Sequence, residues 1–399
     1  MVLIANQKTV RIIGTVGSCL IAVALAACSH TETKAVGHWD QKAAAAYLDQ
    51  RETWWMGWQG AARDHDTFCV SCHTALPYAL ARPTLRKSLG EVGLSVDEQR
   101  LLDNVTKRVR LWKDVGPYYS DQGYDHKTPE SRGTEAVVNA LILASHDAQG
   151  GRLSDDTRAA FDNMWALQQT TGDDRGSWPW LQFDLQPWEA NDSSYFGAAL
   201  AALATGTTAE NYRSAPEIQD HLKLLREYLN RKSAAQSPIN RVFLLWASTK
   251  LPGLVEPVRQ TAIVDEILSK QRADGGWRLA SLTWRQKSWT LSSLIQTWIR
   301  EDGTPLDSKS DGVATGLITF VLQQTEIPRD NPQLQRGLSW LVSNQNLIDG
   351  SWPATSVNKR RKPSSDVGRF MSDAATGYAV LALMESQRTT KTLASASHH

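Results

Sequence analysis

Three times along this chain a helix-period apolar stretch runs into glutamine, a short polar turn and Gly-x-Trp, and this phrase constrains the fold more than any other feature. Trp165, Leu167, Gln168 and Gln169 precede Gly176-Ser177-Trp178; Ile267, Leu268 and Gln271 precede Gly275-Gly276-Trp277; Trp340, Leu341 and Gln345 precede Gly350-Ser351-Trp352. Glycine lets the backbone turn where a helix stops, indole can cover that end, and glutamine can reach its unpaired carbonyls. Such a unit cannot bury its own apolar face, so repetition predicts stacked neighbours. The 16 tryptophans, against 9 tyrosines and 7 phenylalanines, suit a motif that is reused.

After these turns the sequence predicts a second helix type, nearly uncharged, rich in small residues and opened by Asp or Gly: 133–144, 192–204, 311–323 and 373–384. The last two share Ala-Thr-Gly at Ala314 to Gly316 and Ala375 to Gly377. Amphipathic helices alternate with them at 96–112, 156–169, 217–231, 257–271 and 333–345. Pairing 39–52 with the stretch after Asp66, and counting 239–249 as another inner helix, gives six outer and six inner helices. The stretch 284–299 reads as an inserted helix. Strand-type alternation is not convincing anywhere, so the expected class is all-α in one domain, 38–387, with a polar tail at 388–399.

The Gln-turn-Gly-x-Trp units resemble the QW repeats of squalene-hopene cyclases and the related helical pairs of protein prenyltransferases. That resemblance implies an (α/α)6 toroid around an apolar cavity and a hydrophobic small molecule or lipid, such as an isoprenoid, as ligand. It does not carry the reaction across. The Asp-x-Asp-Asp acid motif of the cyclases is missing, Asp155-Asp156 and Asp173-Asp174 read as cap or surface charges, and the zinc motif of the prenyltransferases has no match in the C-terminal repeats. A plain helical solenoid is the alternative fold.

Several side chains are candidates for a cavity. Glu135 stands in an otherwise apolar stretch, where burial would raise its pKa and make it a proton donor; a first-turn glutamate favourable to the helix dipole is the competing reading. Asp192, Asp311 and Asp373 read as helix N-caps first and ligand contacts second, with Asp192 the other candidate acid. Trp188 and Glu189, with Trp180, fall between a repeat turn and an inner helix, where they could line an entrance.

At the N-terminus Lys8 and Arg11 precede an apolar run from Ile12 to Ala27, and Leu25-Ala26-Ala27-Cys28 resembles the lipobox of bacterial lipoproteins. The expectation is an export signal at 1–28, lipid attachment at Cys28, a tether at 29–37, and a periplasmic, lipid-anchored protein. The chain carries 43 Lys+Arg against 42 Asp+Glu. That balance argues against nucleic acid as partner, because such binding needs a basic face.

The most specific chemical signal is Cys69-Val70-Ser71-Cys72-His73, the CxxCH signature of covalent haem c attachment, here in the first helical pair at 65–80. Two thiols one helical turn apart can bond the porphyrin vinyl groups while the next histidine gives iron an axial nitrogen. A Cys69–Cys72 disulfide, or zinc held with His65 or His73, competes with that reading. No methionine follows between Thr74 and Asn163, which leaves Met56, Met371, His65 and His126 as sixth ligands, or an open site. The leading expectation is therefore an exported haem c toroid in redox or ligand handling, with an electron-transfer partner. Its rivals are a divergent terpene cyclase-like enzyme using Glu135 or an inner-helix Asp, and a non-enzymatic binding or scaffold protein with a disulfide.

Overall fold

Among the described residues of the computed structural model, 38–119, 125–283 and 309–396, twelve helices of at least twelve residues alternate between two types. The expected signal 1–28, Cys28, the tether and the helix at 284–299 lie outside the described residues. The odd-numbered helices are amphipathic: α1 (Gln41–Gly57), α3 (Val96–Arg110), α5 (Asp155–Ala166), α7 (Gln219–Lys232), α9 (Pro257–Ser269) and α11 (Pro332–Ser343). The even-numbered ones are α2 (Ala75–Leu89), α4 (Thr128–Asp147), α6 (Ser193–Thr207), α8 (Pro238–Lys250), α10 (Gly312–Gln324) and α12 (Phe370–Ala396). In α6 and α10 nearly every side chain is buried, as a low-charge, small-residue composition requires. The only strands among the described residues are the two-residue β1 (Ala62–Arg63) and β2 (Thr67–Phe68), paired antiparallel, so the protein is all-α.

The even-numbered helices pack in succession, α2 on α4, α4 on α6, α6 on α8, α8 on α10 and α10 on α12, and α12 packs back on α2. Glycines permit the closest approaches: a Cβ on Gly316 would sit 2.6 Å from Ala379 N, and one on Gly377 2.6 Å from Pro77 Cβ. Phe196 of α6 meets Phe243 of α8 with ring centroids 4.7 Å apart, and Phe243 meets Tyr378 of α12 at 6.3 Å. Rings from non-successive helices thus touch, and at this level the expected apolar hollow is filled.

All three Gly-x-Trp phrases make the same clasp. Trp178, Trp277 and Trp352 are fully buried, and their indole N–H groups donate to Met164, Ile267 and Leu341 carbonyls at 2.6, 2.8 and 2.7 Å, at the C-terminal ends of their own odd-numbered helices. They belong to the core. Each glutamine donates both to its own turn glycine and to a backbone carbonyl at the start of another helix. Gln168 reaches Gly176 and His221, Gln271 reaches Gly275 and Gln333, and Gln345 reaches Gly350 and Asp40. The last clasp joins the end of the repeat to its beginning: Gln345 Oε1 also accepts from Asp40 N at 2.7 Å, and the turn at Gly350 lies against Ala43. The repeated Ala-Thr-Gly has a related purpose, since Thr315 and Thr376 hydroxyls accept the backbone N–H of Trp277 and Trp352.

Three boundaries differ from expectation. Helix α4 starts at Thr128, so Glu135 lies in its interior and not its first turn. Helix α12 starts at Phe370, which puts Asp373 inside it, and runs on to Ala396 where a tail was expected. The segment before α2 is a hairpin and turn, not helix.

Two consequences are measurable. Gln345→Ala removes three hydrogen bonds from a largely buried clasp and is expected to cost about 1–3 kcal/mol in urea unfolding; an unchanged midpoint would mean that the ends do not depend on it. Glu52 in α1 is fully buried with neither carboxyl oxygen hydrogen-bonded, and burial first, then Asp97 and Asp373, push its pKa up to about 8. The folded chain therefore holds a proton that the unfolded chain releases above its ordinary carboxyl range, and stability falls as pH rises through that window. Relative to wild type, Glu52→Gln should gain about 1.4 kcal/mol per pH unit raised from 5 to 7 in urea unfolding. Parallel pH profiles would contradict this.

Candidate functional site

The CxxCH segment sits between the hairpin and α2. His65 and Asp66 take left-handed backbone (φ 54° and 52°) at the hairpin turn, Cys69 N donates to Ala61 O at 2.8 Å, and Trp55 Nε1 donates to Cys69 O at 2.6 Å. Ser71 Oγ then accepts from Thr74 N and Ala75 N, satisfying donors at the start of α2. The two cysteines therefore lie in a turn rather than on a helix. Both are free thiols, so the disulfide alternative is not what the fold presents; Cys69 is buried and Cys72 half-buried. Burial pushes the Cys69 thiol up to about 12 and Cys72 well above the ordinary thiol range, which keeps both protonated.

His73 is held from two sides. Its ring stacks on Phe370 with centroids 3.9 Å apart and meets the edge of Trp55 at 5.1 Å. Its Nδ1 lies 2.9 Å from Thr74 Oγ1, and that hydroxyl donates to Asp373 Oδ2 at 2.8 Å. A hydroxyl has one proton, and here it goes to the carboxylate, so Thr74 can only accept from His73. The proton is thus on Nδ1 and the lone pair on Nε2. Burial first, then Arg51 and Arg361, lower the imidazole pKa to about 3, and the ring stays neutral. Asp373 also accepts from Tyr47 Oη at 2.9 Å and from Arg51 Nε and Nη2 at 2.8 and 3.1 Å. This carboxylate, expected to be an N-cap, instead links α1, the CxxCH turn and α12.

Cys72 and His73 open onto a cleft of about 550 Å³, counting the part open to solvent, with Trp188, Glu189, Arg361 and Met371 also on its walls. Loops preceding α6 and α12 build those walls and are tied together: Asn358 Oδ1 accepts from Gln186 N at 3.0 Å, and Asn358 Nδ2 donates to Gln186 O at 2.7 Å. Trp188 is further fixed by its carbonyl, which accepts Trp180 Nε1 at 2.8 Å. Burial alone raises the Glu189 carboxyl to about 7. Of the possible sixth ligands Met371 is on the cleft wall, whereas Met56 is in the core and His65 lies near Asp64 at the hairpin turn.

The remaining candidates are elsewhere. Glu135 is fully buried in a two-toothed ion pair with Arg108, Nε–Oε1 2.6 Å and Nη2–Oε2 3.1 Å, and does not line the cleft. Arg108 also holds Thr67 Oγ1 and Gly116 O, so this pair braces the hairpin; burial raises the Glu135 pKa as expected, with Arg108 opposing it. Asp311 is an N-cap, accepting from Ala314 N at 3.0 Å and Leu279 N at 2.6 Å, and burial raises it to about 6. Asp192 occupies the N-cap position of α6 without making the cap bond, and its Oδ2 is buried without a partner. Among the described residues no group of three or more His, Cys, Asp and Glu is arranged to hold a metal ion. No described helix is long and apolar enough to cross a membrane. Sequence reasoning missed Thr74, Arg51, Asn358 and Arg361; of these only Thr74, next to His73, gave a local signal.

No protein-family model and no curated protein matches the chain. Among solved structures a polysaccharide lyase is similar, with a TM-score of 0.51 and 12% identity over 88% of this chain and 98% of that one. At that identity the likeness concerns the arrangement of helices.

Asp373→Asn would leave the Arg51 guanidinium buried beside an uncharged amide. It is expected to destabilise the fold by roughly 3–5 kcal/mol in urea unfolding. A loss below about 1 kcal/mol would mean that Arg51 is held by Asp366 alone.

Proposed function

We propose that this chain is an exported (α/α)6 toroid that carries haem c on Cys69 and Cys72, with His73 as axial ligand, and works in electron transfer on or beside a hydrophobic ligand. The toroid reading is supported by the succession of even-numbered helices that returns from α12 to α2, by the Gln345 clasp on Asp40, and by the helical likeness to the lyase structure. Single-domain organisation over 38–387, export through 1–28 and a lipid anchor at Cys28 belong to the same proposal, and CxxCH attachment chemistry requires an export compartment.

One observation carries the haem reading: His73 is a neutral imidazole whose Nδ1 proton is committed to Thr74 and whose Nε2 is left for a metal, beside Cys72 on a cleft wall. Iron ligation requires that tautomer, and the carboxylate behind it is the kind of outer partner that orients ligating histidines. Cys72, His73 and Met371 line the cleft while Cys69 is buried off its wall, so haem would be held by the two thiols through its vinyl carbons and by the imidazole, with the Met371 thioether as a further donor. Bound there, haem would supply one-electron chemistry. Thr74 and Asp373 hold the imidazole in orientation, Phe370 and Trp55 exclude water from its faces, and Trp188 offers an apolar surface to a ligand. Against the cyclase-like alternative stands the position of Glu135, ion-paired with Arg108 and away from the cleft.

Produced in a host with haem-maturation machinery, the chain is expected to show a Soret band that persists under denaturing, thiol-blocking conditions. Cys69→Ala/Cys72→Ala should abolish the covalent signal, Cys72→Ala should leave at most one thioether link, and His73→Ala should shift the band. A colourless product with intact fold, or colour retained in Cys69→Ala/Cys72→Ala after denaturation, would overturn the assignment.

A further inference from the structure

The wall of the cleft that carries Arg361 continues outward into four consecutive basic residues, Lys359, Arg360, Arg361 and Lys362, all exposed. The buried and half-buried arginines Arg51, Arg82, Arg108 and Arg241 are committed to carboxylates: Arg51 to Asp366 and Asp373, Arg82 to Asp49 and Glu91, Arg108 to Glu135, Arg241 to Glu266. The side chains of Arg360, Arg361 and Lys362 make no ion pair or hydrogen bond among the described residues, and the nearest acid in sequence, Asp366, is taken by Arg51. The cluster is concentrated in a chain whose formal net charge is only +1.

The loop is shaped rather than slack. Asn358 anchors it to Gln186 at one shoulder. At the other, Ser365 N and Oγ donate to Lys362 O at 3.0 and 2.7 Å, Gly368 N donates to Ser365 Oγ at 3.1 Å, and a Cβ on Gly368 would collide with Lys362 O. Only glycine admits that fold-back. Fixed like charges repel one another, and their cost is met when an opposite surface covers them. Arg361 lies on the same cleft as Cys72 and His73, so the basic run borders the mouth of that cleft.

We infer that residues 359–362 form the docking face for an acidic one-electron carrier protein, presenting that partner's anionic surface to the cleft of Cys72 and His73. The inference rests on the haem reading for what is transferred, one electron from donor to acceptor with no bond made or broken, but not for the surface itself. Electrostatic steering of this kind raises association rates at low salt and fades as ions screen it.

The first measurement needs no haem. Calorimetric titration of the isolated chain with poly-L-glutamate at low salt should show binding that weakens steeply with added NaCl and is about tenfold weaker in Lys359→Gln/Arg360→Gln/Lys362→Gln. The variant should keep the wild-type circular dichroism. The second uses haem-loaded protein and small reagents: oxidation by anionic ferricyanide should slow with ionic strength, oxidation by a cationic cobalt complex should quicken, and the triple variant should flatten both. Equal salt slopes in wild type and variant would overturn the proposal. So would preference for phosphatidylglycerol vesicles or polygalacturonate over polyglutamate at equal charge, since each would name a membrane or an acidic glycan as the partner. A colourless chain that still binds polyglutamate through these residues would sink the haem reading and leave the acidic-partner surface standing.

Discussion

A single buried carboxylate joins the beginning of this fold to its end. Asp373, three residues into α12, receives hydrogen bonds from Tyr47 and Arg51 of α1 and from Thr74 at the start of α2, while α12 packs along α2. Burial alone would neutralise such an acid; the guanidinium and the two hydroxyls keep its charge worth holding. An ion pair this deep contributes little net stability against an apolar substitute of the same shape. Its value is geometrical, because only one relative placement of the first and last helices satisfies all four donor contacts.

The same carboxylate sets the chemistry of the site. By taking the Thr74 proton it obliges His73 to keep its own proton on Nδ1, and the imidazole then turns its lone pair away from the network. The frame and the site thus share one group, and the cleft lies where loops before α2, α6 and α12 meet. Aromatic rings fill the space between α6, α8 and α12, so an apolar guest would be met at the cleft, by Trp188 and Phe370, and not deep between the helices.

How much of this could be read in advance follows from how local each signal is. The helices were legible because Gln, then Gly-x-Trp, recur in the same order across a turn of varying length, and each makes the same bonds. Asp311 was legible as a cap, since capping is a contact across three residues. Glu135 misled because its partner Arg108 lies on another helix, and an isolated sequence window cannot distinguish a lone buried acid from a paired one. Asp373 misled for the same reason, its donors lying about 300 residues away. The local structure around CxxCH was not legible: the hairpin at 62–68 is too short to produce alternation, and the turn depends on Ser71 capping α2. Arg361 and Asn358 come from a loop whose course no periodicity reveals.

The account turns on whether His73 and the two thiols take a porphyrin. Intact-mass spectrometry of the exported chain, purified from a haem-maturing host, tests this most directly. The expected spectrum shows the polypeptide heavier by one haem, with the increment on the peptide that contains Cys69 and Cys72. A mass equal to the polypeptide alone, or lower by two hydrogens from a Cys69–Cys72 disulfide, would contradict it.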